Sequence, residues 1–206
     1  MKFNPIFSSG EAKNIPEYAL DVQEYIASLK KLFDYWLTDP SAVIHDTLEQ
    51  YLSMVFTGRG RDCVYGSCLY RWIGVDHLGD IYPCGRSYTA EYKMGNLDEV
   101  EKFSDAFHSD HFIQLLKKSI IRRSKCQREC PYYGLCNGGC NNNAILEGGL
   151  ESNHHFLCKV LYAMYPYVKE RIESLQQPDA DLEHINPILR KRIYDSNLAK
   201  LDHLSR

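Results

Sequence analysis

The chain has 206 residues, 44% of them hydrophobic and 25% charged, with a formal net charge of -3. That balance gives no electrostatic basis for a nucleic-acid partner, and no apolar run approaches the roughly 18 residues of a membrane-spanning helix, so the expectation is a cytoplasmic globular protein of one or two domains without a membrane partner. The eight cysteines do not suggest a secreted disulfide scaffold: the chain is long, well supplied with core residues, and has no apolar leader.

In chain order, Lys2-Phe3-Asn4-Pro5-Ile6-Phe7 is predicted to be a strand closing on the loop Ser8-Ser9-Gly10. Val22, Ile26, Leu29, Leu32, Phe33 and Trp36 recur at helical spacing and predict a helix over about residues 17–37. Asp39-Pro40-Ser41 stops it. A second helix is predicted with Val43, Ile44, Leu48, Leu52, Val55 and Phe56 on one face, ended by Gly58 and Gly60. The period then changes to two: Tyr70, Trp72, Gly74 and Asp76 alternate with Arg71, Ile73 and Val75. The turn His77-Leu78-Gly79-Asp80 and the return strand Ile81-Tyr82-Pro83-Cys84 complete a β-hairpin. Leu97, Val100, Phe103 and Phe107, then Phe112, Leu115, Leu116 and Ile120, predict two short helices. Helical periodicity stops at Cys126, and Pro131, Gly134, Gly138 and Gly139 predict a tight loop up to Cys140. Leu157, Leu161, Met164, Val168 and Ile172 predict a long helix carrying Cys158, and a last amphipathic segment runs from Pro187 to Leu204. The fold class expected is α+β, mainly helical, with a small hairpin and cysteine-rich loops.

The cysteines form two clumps, Cys63, Cys68 and Cys84, then Cys126, Cys130, Cys136, Cys140 and Cys158. Two sets of four thiolates suit either two tetrahedral zinc sites or two iron–sulfur clusters. Cys68 and Cys84 lie beyond the open end of the hairpin, so closing it brings them together with Cys63. Zinc sites commonly use two close cysteine pairs, which these spacings lack; a structural protein with two four-cysteine zinc sites is the alternative. Other groups have plainer readings. The basic run Ile120-Ile121-Arg122-Arg123-Ser124-Lys125 is expected to complement a helix dipole rather than form a phosphate patch. His154 and His155, like His108 and His111, are expected to be solvent-facing or hydrogen-bonded. Tyr162, Tyr165 and Tyr167 are expected in the core or at an interface. Tyr132 and Tyr133 are candidates to shield a centre from water, and Arg71 and Arg86 to meet a carboxylate or a negatively charged cluster.

The order Cys68-x10-Gly79-x4-Cys84, Cys126-x3-Cys130-x5-Cys136-x3-Cys140, x17, Cys158 resembles the SPASM domain, the C-terminal extension of radical S-adenosylmethionine enzymes that modify peptides and proteins. The resemblance covers about residues 60–165. It departs where Gln127-Arg128-Glu129 separate a cysteine pair that the family usually spaces by two. The resemblance implies two auxiliary [4Fe-4S] clusters with crossed ligation: Cys63, Cys68, Cys84 and Cys140 on the first, and Cys126, Cys130, Cys136 and Cys158 on the second. Some members leave a position of the first cluster open; Cys63 as an eighth cysteine implies that both are fully ligated here.

By the same resemblance, residues 1–60 correspond to the end of the radical enzyme's barrel and a helical linker, 61–165 to the cluster domain and 166–206 to a C-terminal helical extension. The radical-generating C-x3-C-x2-C triad is absent, so this chain alone is not expected to cleave S-adenosylmethionine, which would be a cofactor only of a full-length parent enzyme. A fragment or split gene is expected. The implied partners are a peptide or protein substrate and a separate barrel chain or redox protein. Sulfatase-maturating relatives carry an aspartate after the hairpin's second cysteine where this chain has Gly85, so formylglycine formation is not implied and peptide maturation is the better analogy. A free-standing ferredoxin-like electron-transfer adaptor is the other reading.

Overall fold

The structure, a computed structural model, describes residues 5, 14–18, 20–41, 43–66, 68, 69, 71–86, 89–152 and 155–204, with the backbone alone at 16 and 198–204. The strand predicted at residues 2–7, Tyr70 and His154 therefore lie outside the described residues. The chain forms two compact units, Met1–Arg61 with Lys159–Arg206, and Asp62–Cys158.

The first unit is helical. Helix α1 spans Val22–Leu37 and begins later than its apolar spacing suggests, because Asp21 caps it: the carboxylate accepts from the backbone N–H groups of Gln23 at 2.7 Å and Glu24 at 2.9 Å. Pro16–Tyr18 form a separate 3-10 turn. Asp21→Ala is expected to destabilise the protein by about 1 kcal/mol; a thermal melt with an unchanged midpoint would show that the cap contributes nothing. Helix α2 spans Asp46–Thr57 and ends at Gly58, whose φ of 69° supplies the left-handed closing residue. Val43 and Ile44, expected on its face, precede it and are exposed. The connection there is extended, with the Trp36 indole N–H donating to the Val43 carbonyl at 2.8 Å, so the apolar pair ahead of α2 never enters its register.

Helix α7 (Phe156–Leu175) begins in the second unit, continues in the first, and runs through Pro166, which costs it one backbone hydrogen bond. Helix α8 spans Pro187–Leu204. Phe33 from α1, Leu52 from α2, Met164, Val168 and Ile172 from α7 and Leu189 and Ile193 from α8 are buried together with little or no exposure. The Tyr167 hydroxyl donates to Asp34 at 2.6 Å, linking α7 to α1, while Tyr162 is exposed rather than in the core. Glu49, buried on α2, pairs with Arg192 of α8 at 2.7 Å and with Arg61 at 3.3 Å. A carboxylate this deep is tolerable only when paired in this way.

The second unit holds a three-stranded antiparallel sheet in the order β1 (Gly74–Val75), β2 (Asp80–Tyr82), β3 (Gly95–Asn96). Gly74 pairs with Tyr82 and Val75 with Ile81, while Asp80 pairs with Asn96. The hairpin is shorter than its alternating pattern, and β3 carries too few residues to show a period. Asp76 shapes the turn by accepting from the Leu78 and Asp80 N–H groups, and Gly79 takes a φ of 80°. Ile81, Met94, Ala106 and Phe112 form the core beneath, with Phe107 set edge-on to Phe112 at 5.2 Å between ring centroids. Leu97 and Val100 lie ahead of α3 (Phe103–Ala106) rather than on it.

Helix α4 spans Asp110–Glu129 and therefore contains Cys126, where a loop was expected. Lys125, Gln127, Arg128 and Glu129 are strong helix formers with no apolar stripe to reveal them. Short helices α5 (Tyr133–Cys136) and α6 (Asn141–Gly148) occupy most of the remainder. The loop between them is only Asn137-Gly138-Gly139-Cys140, and its first three residues all have positive φ.

Candidate metal centres

None of the eight cysteines forms a disulfide. Cys63 opens a 3-10 turn at Cys63–Tyr65, Cys68 lies five residues on, Cys84 follows β2, and Cys140 is the N-cap residue of α6. These four line one cavity of ≈ 290 Å³ together with Leu69, Ile73, Pro83 and Leu115. Cys126 stands on the last turns of α4, Cys130 caps that helix, Cys136 ends α5 and Cys158 sits in the first turn of α7. Three helices thus carry the four thiols of a second group, two of them at the end of α4.

The electrostatics separate the same two groups. Burial pushes Cys63 up, and the charges of Cys140 and Cys84 add to it; burial pushes Cys68 to about 11, with Cys140, Cys63 and Cys84 acting the same way. Burial likewise raises Cys136 to about 11, opposed by the Gly138 N–H and reinforced by Cys158, Cys130 and Cys126. Cys158 is raised by burial, eased by a backbone hydrogen bond at His155, and raised further by Cys126 and Cys130. Cys126 is raised by burial against the pull of Arg122. Cys140 therefore joins the upstream three, although the chain places it in the downstream run.

Four thiolates held this close in a poorly solvated site repel one another and cannot all ionise without a cationic occupant. A four-iron cluster, which takes four cysteine thiolates, meets that requirement twice over. Among the described residues, no three His, Cys, Asp or Glu side chains close on one point tightly enough to hold a single metal ion.

Cations and backbone dipoles complete the surroundings. The Arg86 guanidinium donates to the Cys140 sulfur at 3.1 Å and the Arg86 backbone N–H to the Cys84 sulfur at 3.4 Å. Desolvation works against the Arg86 charge, but Cys140 and Cys84 outweigh it and raise its pKa. Gly74 packs against the Cys84–Gly85 backbone so closely that an added Cβ would lie 3.0 Å from the Gly85 Cα; the hairpin tolerates only glycine there. Gly85 itself faces open space.

Two residues depart from their sequence readings. His155, expected to face solvent or simply hydrogen-bond, is buried at 5% exposure against Gly139, whose added Cβ would meet Nε2 at 2.8 Å. Arg122 belongs to the basic run expected to lie at a helix end, yet it is wholly buried. Phe112, Leu115, Ser119, Arg122 and Cys126 share the buried face of α4. A charged residue at spacing three and four within that stripe was the signal available in the sequence. His111 accords with its plain reading, its Nδ1 lying 2.9 Å from the Lys93 carbonyl.

Residues 63–141 match the family model of SPASM, described as an iron–sulfur cluster-binding domain. The chain is 30% identical over 146 residues to a cysteine-type anaerobic sulfatase-maturating enzyme of Clostridium novyi, covering 69% of this chain and 38% of that protein. It is 25% identical over 168 residues to the enzyme of the same description from Clostridium perfringens, covering 79% and 44%. A serine-type anaerobic sulfatase-maturating enzyme of Klebsiella aerogenes is 23% identical, with 82% and 42% covered. The chain thus spans less than half the length of these relatives. Among solved structures, anSMEcpe with bound AdoMet superposes with a TM-score of 0.63 at 21% identity, covering 86% of this chain and 45% of that one; the same protein with AdoMet and a peptide gives 0.62 at 22%, covering 82% and 46%. The shared fold is established by these superpositions.

Proposed function

We propose, from the premise that residues 63–141 form a SPASM iron–sulfur cluster-binding domain, that this chain holds two auxiliary [4Fe-4S] clusters and serves a radical S-adenosylmethionine enzyme that modifies a peptide or protein. Cys63, Cys68, Cys84 and Cys140 would hold the first cluster and Cys126, Cys130, Cys136 and Cys158 the second. The observation that carries the reading is the convergence of Cys140 with the three upstream cysteines around one cavity. Residues 1–60 would then belong to the end of the barrel and its linker, and 166–206 to a C-terminal helical extension. S-adenosylmethionine would be bound by barrel residues, in the full-length protein or in a partner chain. The similarity to sulfatase-maturating enzymes supports a peptide or protein as the substrate class.

When bound, each cluster would supply reversible one-electron transfer at a potential set by its surroundings. The chain's own residues define those surroundings. Arg86 places positive charge and an N–H on the Cys140 sulfur, and the N-terminal end of α6 adds its partial positive charge at the same atom. The Gly138 N–H serves Cys136. Leu69, Ile73, Pro83 and Leu115 keep the first site apolar and restrict water. Because Cys136, at the end of α5, lies only four residues before Cys140, the crossed ligand would fix the separation of the two centres.

The electron-transfer role is tested by titrating the anaerobically loaded chain with a low-potential one-electron reductant while following visible absorbance and EPR. Uptake of about two electrons per chain, fully returned to a mild oxidant, is the expected result, one for each four-iron cluster. A chain whose clusters accept no electron has no redox role, and only substrate positioning would remain. Incubation with S-adenosylmethionine and dithionite is expected to yield no 5′-deoxyadenosine from this chain alone; its appearance would refute the assignment of radical generation to residues outside it.

A further inference from the structure

We propose that Arg122 is a shared positioning residue for both cysteine sets, its guanidinium lying between them and donating N–H groups to sulfur on either side. The inference rests on the two-cluster reading above and goes beyond it, since no ligand assignment requires an arginine on α4.

Three observations carry it. Arg122 is fully buried, and one end of its guanidinium is anchored: Nη2 donates to the Gly139 carbonyl at 3.3 Å and to Asn141 Oδ1, which also accepts from Ser119 Oγ at 2.9 Å. Gly139 and Asn141 flank Cys140, so this anchor holds the backbone that presents the crossed ligand. The other end is unused. Nε and Nη1 are buried and have no hydrogen-bond partner among the described residues, and a buried guanidinium N–H left unpaired is costly.

The third observation is which cysteines stand beside Arg122: Cys140 of the first set lies between its anchors Gly139 and Asn141, and Cys126 of the second set is one turn on along α4. The thiolates whose charges act on Arg122 are Cys126, Cys140 and Cys158. Two belong to the second set and one to the first. Arg122 is also one helical turn before Cys126 on the same buried face of α4. A buried arginine that satisfies planar N–H donors on two sides provides what lysine cannot, a rigid fork with several donors at fixed angles.

The consequence is a common electrostatic lever. A positive charge between two centres favours the reduced, more negative form of each, so it raises both potentials together. A purely structural role, in which Arg122 only ties α4 to the loop at Gly139, would leave the potentials unmoved.

The test uses the full chain, loaded anaerobically, as wild type and as Arg122→Met, with Lys125→Met on the exposed side of α4 as the control. Each centre's potential is measured by EPR-monitored titration. Arg122→Met is expected to disfavour reduction of both centres at least tenfold, about 59 mV for a one-electron couple, whereas Lys125→Met shifts neither by more than threefold. Two loaded clusters in Arg122→Met with either potential within threefold of wild type would overturn the proposal. Should Arg122→Met fail to fold or load, Arg122→Lys in protein labelled with ¹⁵N-arginine decides at the second centre, away from the Arg86 contact to Cys140: loss of a ¹⁵N coupling seen there in the reduced wild type is expected, and its retention, or its absence from wild type, overturns the N–H···S contact. A wild type that takes up no two four-iron clusters would instead overturn the underlying reading, before any variant is compared.

Discussion

Cys140→Ala is expected to remove the cluster held with Cys63, Cys68 and Cys84 while sparing the one held by Cys126, Cys130, Cys136 and Cys158. Iron should fall from about eight to about four per chain, because each four-iron cluster depends on its full set of thiolates. Chain position alone leads to the opposite result, since Cys136 lies four residues from Cys140 and shares its loop. Geometry decides otherwise: Cys140 lines the cavity with the three upstream cysteines, and its charge is among those that push Cys63 and Cys68 up. Cys136 instead responds to Cys158, Cys130 and Cys126. Cys136→Ala should produce the complementary loss. The retained cluster is identified in each variant by its EPR signal after reduction. Loss of the same cluster in both variants would refute crossed ligation.

Gly139→Ala is expected to be among the most damaging single-methyl changes available. The residue has a φ of 70°, so alanine incurs about 1–2 kcal/mol from the left-handed backbone alone. Its Cβ would also meet His155 Nε2 at 2.8 Å and Cε1 at 3.2 Å, and that imidazole is buried where α7 begins. Relief requires moving either His155, three residues before Cys158, or the backbone before Cys140. One methyl group therefore presses on a cysteine of each set. The expected loss is about 2–4 kcal/mol, or roughly 5–15 °C in Tm, with impaired loading of both clusters. Two glycines separate the causes. Gly58→Ala meets no atom within 4 Å but keeps a left-handed φ of 69°, so it should show the backbone cost alone. Gly134→Ala, inside α5 with open space around it, should be neutral or slightly stabilising. Equal melting points for Gly139→Ala and Gly58→Ala would exclude the contact with His155 as a source of damage.

Much of the fold was legible because the first unit advertises itself by apolar periodicity. The stripes of α1 and α7 correspond to helices whose buried residues are those the period selects, and Gly79 closes the hairpin turn as expected. The errors arose where another interaction overrode the apolar pattern. Asp21 starts α1 by capping, and Val43 and Ile44 lie outside α2 because the chain there is extended. The end of α4 was missed because it is polar: its residues favour helix by propensity, while its buried stripe is carried by Ser119, Arg122 and Cys126 rather than by aliphatic side chains.

The candidate site divides in the same manner. Cysteine spacing pointed to eight candidate metal-binding thiols, and family resemblance suggested how they divide, but spacing has no access to the third dimension. It could not show that Arg86 reaches the Cys140 sulfur or that Arg122 is buried against the loop that carries Cys140. Those arginines are 54 and 18 residues from Cys140 in sequence, and only the folded loop between α5 and α6 brings them to it.

The central claim is that eight thiolates hold two four-iron clusters, and the most direct measurement is iron, acid-labile sulfide and zinc content per chain after anaerobic loading, read with the visible spectrum. About eight irons and eight sulfides with less than one-tenth of a zinc, together with a broad sulfide-to-iron absorption, is the predicted result. About two zincs per chain, no sulfide and no visible absorption would contradict it and identify the cysteines as structural zinc sites.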